Sequence, residues 1–273
     1  MTTLTIPSRV RFGDLVAAEW IKTRSLRSTW WTIALTALFV IGSAAVAALA
    51  DCRNLAAAGT TVRRPAGFLP FDAYPQPGYM TLMLVAGSVG AITIVSEYSS
   101  GLIRTTTMAV PARSSVVLAK ATVTAALWTA VGTVVSTGSF LVSQAILNER
   151  HAGASITHPG VPRALVASAL LAPVCALVGL GLGVLIRHSA ATMATCAFTL
   201  LMLPTVFSQS KRWSAGVNHT MVVTAWRRLV QNWEPEPGSR MFSATVPGSW
   251  TVYALWPLIA VVVAVLVVRK RDV

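Results

Sequence analysis

Long apolar runs alternate with short polar breaks along the whole chain, and that alternation predicts helices that cross a membrane. Runs of about twenty apolar residues fall near 31–50, 79–95, 120–146, 164–186, 190–207 and 251–268. A helix rising 1.5 Å per residue needs about twenty residues to cross the hydrocarbon core. The pattern therefore predicts an all-α integral membrane protein with six spans, built as one domain over 1–273. The third run extends back to Val116, longer than a span needs, which predicts tilt, with Lys120 snorkelling to the surface. Thr122, Thr124, Thr129, Thr133, Ser136, Thr137, Ser139 and Ser143 make it unusually hydroxylated. Such hydroxyls line a polar path or bond to helix backbones, and packing is the simpler reading. Gly87 and Gly90 in the second run, and Gly179, Gly181 and Gly183 in the fourth, predict close helix contacts. Pro204 predicts a kink in the fifth.

The polar breaks are informative too. Residues 12–29 read as a helix with an apolar edge of Phe12, Leu15, Val16 and Trp20, interrupted by Glu19. Lys22, Arg24 and Arg27 follow, and can reach lipid phosphates while Trp20, Trp30 and Trp31 sit at headgroup depth. The segment is either an elbow helix lying on the membrane or an ordinary basic flank to the first span. Between the last two runs, Val222, Trp226, Leu229, Val230 and Trp233 share one helical face, with Asn218 as a candidate cap. This predicts a second interfacial helix. The break at 96–115 holds Glu97, Arg104, Arg113 and a helix-stopping Pro111, with Lys120 just beyond. Charges cost several kcal/mol at a bilayer centre, about 2.5–3.5 on insertion scales, so this island belongs at a surface.

Composition narrows the class. Hydrophobic residues make up 54% and charged residues 11%, against about 25% charged in soluble domains. The net charge of +13 is scattered over the breaks, which suits anionic lipid and not nucleic acid. Basic clusters abut the first and last spans, which predicts both termini on the cytoplasmic side of the plasma membrane. The three cysteines, Cys52, Cys175 and Cys196, give no disulfide framework, and no Cys/His spacing suits a metal. No phosphate-binding lysine loop, zinc-protease helix or hydrolase triad signature is present. Catalysis by this chain is not expected, and no cofactor is assigned to it.

Two stretches carry a resemblance. Glu97-Tyr98-Ser99-Ser100-Gly101-x-Ile103-Arg104-Thr105-Thr106, followed by Pro111-x-Arg113, resembles the first cytoplasmic loop of ABC-2-type transporter permeases, in their actinobacterial branch. Ala18-Glu19-Trp20-Ile21-Lys22-x-Arg24-Ser25-x-Arg27-Ser28-Thr29-Trp30 resembles that family's N-terminal segment. The resemblance implies a permease subunit that exports a hydrophobic or amphipathic compound. ATP and Mg would then sit on a separate nucleotide-binding ATPase subunit, and a second permease chain, as a homodimer, would complete the path. It implies that Glu97, Tyr98, Ser99, Gly101, Arg104 and Thr105 form the contact and hinge set toward the ATPase. Glu19, Trp20, Lys22, Arg24 and Arg27 would belong to the elbow helix. The alternative is a non-transporting protein of the same fold, an immunity or scaffolding factor.

Overall fold

The computed structural model describes residues 11–57, 70–101, 113–149, 151–233 and 242–270. Helices dominate the described residues, and none of these residues is in a strand. In chain order the helices are α1 Phe12–Ser25, α2 Arg27–Ala57, α3 Pro70–Ala73, α4 Gln76–Ser99, α5 Arg113–Asn148, α6 Val161–Ile186 and α7 Ser189–Ala197. A π-turn, Phe198–Met202, leads into α8 Leu203–Val206. The short α9 Arg212–His219 and α10 Val222–Val230 then precede α11 Val246–Lys270. Six helices are long and apolar enough to cross a membrane, the fifth being the broken helix Ser189–Val206. Five of the six helices overrun the apolar run expected for them, and the broken fifth matches its run in length. Hydrocarbon limits where residues must be apolar, whereas backbone hydrogen bonding continues into the polar flanks.

The centre of the bundle is α6, whose residues are the most buried of the six, while α11 and α2 are mostly uncovered. It packs against α4, α5, α7, α10 and α11. Small residues make this possible. A Cβ at Gly179 would overlap the Gly87 carbonyl oxygen, and one at Gly90 would overlap that of Ala176. The backbones of α4 and α6 therefore meet directly, as the glycine spacing predicts. The hydroxyls of α5 mostly serve packing. Thr122, Thr129 and Thr133 bond the carbonyl four residues back in their own helix, and Ser136 donates to the Leu165 carbonyl of α6 at 2.9 Å.

The break in the fifth span is larger than a proline kink alone. Pro204 has no N–H to give, and a π-turn immediately precedes it. Asn218 does not cap α10 as its position suggested. Its Nδ2 donates to the Pro204 and Phe207 carbonyls at 2.7 and 2.9 Å, and its Oδ1 accepts from Thr224. It satisfies the carbonyls that the broken helix leaves free. The N-cap of α10 is Met221.

Helix α10 also differs from the sequence expectation. It runs Val222–Val230, so Trp233 lies outside it. Seven of its residues are buried, Thr224 among them. It packs between α6 and α11, and Trp226 stacks on Tyr79 of α4 at 5.2 Å between ring centroids. An amphipathic pattern requires an apolar neighbour, and here that neighbour is protein.

Candidate functional site

At the opposite end of α4 from Tyr79, three helices meet around one ammonium group. Helix α1 starts with Asp14 accepting from the Arg11 backbone N–H at 2.9 Å. It stops at Ser25 because Leu26 is extended. Residues 27–29 therefore open α2 and are not the end of an elbow helix, so Arg27 belongs to the span. The Trp30 indole N–H donates back to the Arg24 carbonyl at 3.2 Å and closes the corner. The corner folds α1 back, so that it packs mainly against α5.

Glu19, which interrupted the apolar edge of α1, is the residue that faces this contact, and it is 5% exposed. Lys120 of α5 donates to Glu19 Oε2 at 2.5 Å and to Glu97 Oε1 of α4 at 3.0 Å. Lys22, one turn along α1, donates to Glu19 Oε1 at 2.7 Å and to the same Glu97 oxygen at 3.0 Å. Two acids and two bases thus form a closed, neutral cluster. Lys120 does not snorkel: it is 4% exposed, and Glu97 7%. A charge that finds two carboxylates inside the protein has no need to reach headgroups.

The electrostatics explain why the two acids and Lys120 depend on one another, with Lys22 as an exposed fourth partner. Glu97 lies in the last turn of α4, where the helix dipole disfavours a negative charge. Burial pushes the Glu19 carboxyl upward, but Lys120 and Lys22 outweigh it and hold the group below its usual 4.5. Burial likewise lowers Lys22, and its bonds to Glu19 and Glu97 reverse that and raise it above 10.5. Removing one member of a buried pair costs about 3–5 kcal/mol, because the other is left uncompensated.

The cluster brackets the polar island. Glu97 lies at its start and Lys120 just after its end, and their bond joins the two flanks. The island's start is shaped by Gly101, at φ +71, where glycine alone sits without strain. Ser99 is exposed, while Tyr98 is half-buried with the Arg187 guanidinium 4.7 Å above its ring. Arg187 sits in the turn between α6 and α7, itself at φ +59. Arg104 and Thr105 lie outside the described residues. Trp20, Arg24 and Arg27 are exposed, and Trp20 lines an apolar cavity with Trp30 and Ile33.

The structure therefore divides the expected contact set. Glu97 is turned inward, whereas Ser99 is exposed at the end of α4 and Gly101 follows just beyond it. The role of Lys120 as the centre was not read from the sequence. The signal was there: a lysine inside an apolar run, with a glutamate breaking each nearby amphipathic or polar segment. No family model matches the chain, and no curated protein matches its sequence. Among the described residues no group of His, Cys, Asp or Glu is arranged to hold a metal.

Proposed function

We propose that this chain is the membrane-spanning permease subunit of an ATP-binding-cassette transporter. It works with a separate ATPase subunit and a second permease chain, and it moves a hydrophobic or amphipathic compound outward. Its termini are cytoplasmic, α1 is the elbow helix, and residues 96–115 form the loop that meets the ATPase. One observation carries the reading: the base of that loop is bonded through Glu97 and Lys120 to Glu19 of α1. A push on the loop cannot be absorbed by the loop alone. It reaches α1, α4 and α5 together, which is what a power-stroke element requires. The motif likeness at 97–106 supports the same reading.

Mechanistically, ATP closes the partner subunits, and the loop receives the displacement. The ionic cluster transmits it sideways to α1, while the direct α4–α6 backbone contact carries it into the core. Arg187 over Tyr98 ties the second turn on the same face to the same motion. The chain's own residues position and transmit, and the hydrolytic chemistry belongs to the partner.

The test is co-expression with the products of the neighbouring genes and purification in mild detergent. The account expects an ATPase with a phosphate-binding lysine loop to accompany the native chain. It further expects Tyr98→Ala with Arg104→Ala to lose most of that association. If no ATPase ever accompanies the folded chain, the transporter reading fails.

A further inference from the structure

Beside the ionic cluster lies a cavity of about 300 Å³ enclosed by α1, the start of α2, α4 and α5. Its chemistry is graded. At one end are Lys22, Ser25 and Ser96 with the four-charge cluster. At the other are Val89, Ile92, Leu127 and Trp128. Glu97 and Val89 are eight residues apart on α4, as are Lys120 and Trp128 on α5, so the polar-to-apolar axis runs about 12 Å along both helices. Its volume is at the small end for ligand sites, about 300–1,000 Å³, room for the upper part of one hydrocarbon chain.

The charge at the mouth selects the headgroup. Glu19 has both oxygens engaged, and Lys120 is buried. Lys22 is the accessible member, its side chain 47% exposed. Its two bonds among the described residues leave one of three N–H donors free. Arg24 and Arg27 are exposed on the same corner, and residues 15–29 hold no acid besides the paired Glu19. The neutral cluster thus presents a cationic rim.

We infer that this cavity is a specific seat for one anionic phospholipid, with an acyl chain between Ile92 and Trp128 and its phosphate at Lys22. The site is independent of any ATPase. A second cavity of about 400 Å³, lined by Trp20, Trp30, Ile33 and Ala130, supplies an internal contrast. None of its lining residues is charged, so it accepts hydrocarbon without choosing a headgroup.

Native mass spectrometry of the purified chain, with dioleoyl phosphatidylglycerol or phosphatidylcholine added, tests this. One phosphatidylglycerol is retained per chain, favoured about fivefold over phosphatidylcholine for each cation engaged. Ile92→Trp fills the apolar end and removes the retained lipid. Lys22→Ala keeps the apolar walls and equalises the two lipids, so it decides the question even if Ile92→Trp misfolds. Ala130→Trp, in the contrasting cavity, leaves phosphatidylglycerol binding at the native level. Inorganic phosphate does not displace the lipid. Equal retention of both lipids by the native chain, undiminished binding in a folded Ile92→Trp variant, or displacement by phosphate alone would each overturn the assignment.

Discussion

The two ends of this bundle are joined by opposite chemistry. At one end, α1, α4 and α5 meet on four charges, Glu19, Lys22, Glu97 and Lys120. At the other, α10 is wedged against α4, α6 and α11 by an aromatic stack. There Trp226 lies on Tyr79 and donates to Ser168 Oγ at 3.2 Å, and Arg163 caps α10 by donating to the Leu229 and Gln231 carbonyls. Aromatic packing holds through many small contacts and weakens gradually when distorted. A buried ion cluster fails abruptly when its buried centre, here Lys120, is removed. The aromatic end is built as an anchor, and the charged end as a joint whose parts move together or come apart together.

The sharpest way to break this contrast is at Lys120. Lys120→Met leaves two buried carboxylates sharing Lys22 and is expected to cost about 3–5 kcal/mol, read as a fall in thermal unfolding temperature in detergent. The companion Glu19→Gln/Glu97→Gln/Lys120→Met removes the charges together and should recover most of the loss. If the triple variant is no better than the single one, the loss comes from packing and not from uncompensated charge. Trp226→Ala should cost about 3 kcal/mol through its cavity, with no change in α1.

Acid should loosen only the charged end. The Glu19 pKa is lowered on folding, so its contribution is complete above 4.5 and is lost as pH falls through the lower folded value. The Lys22 pKa is raised, so its contribution is complete below 10.5 and is lost above that. Proteolytic nicking at the α1–α2 corner should stay flat between these limits and rise below pH 4.5. A corner equally protected at pH 3.5 contradicts this. The smallest effect belongs to Lys22→Ala, expected to lower the unfolding temperature by only a degree or two, since Lys120 still reaches both acids and a half-exposed pair contributes little.

Much of the fold was legible because hydrophobic length and glycine spacing are local signals. The six spans and the α4–α6 contact through Gly87, Gly90 and Gly179 follow from them. The joint was not legible, because its partners lie 101 residues apart for Glu19 and Lys120 and 75 apart for Lys22 and Glu97. Lys120 snorkelling was a reasonable expectation for a lysine near a span's end, and it fails only because two carboxylates arrive from elsewhere. The α10 pattern has the same limit. Periodicity shows that one face is apolar but not whether lipid or protein covers it. Asn218 shows a third case: its position suits a cap, yet the Pro204 and Phe207 carbonyls at the end of α8 are the stronger demand.

The central claim is that Glu97 and Lys120 make the loop base and α1 one unit. Hydrogen exchange of the native chain and Lys120→Met, followed by mass spectrometry, tests it most directly. The account predicts that α1 and residues 96–101 lose protection together in the variant while α10 keeps its own. Unchanged protection of α1, or loss in one segment without the other, would contradict it.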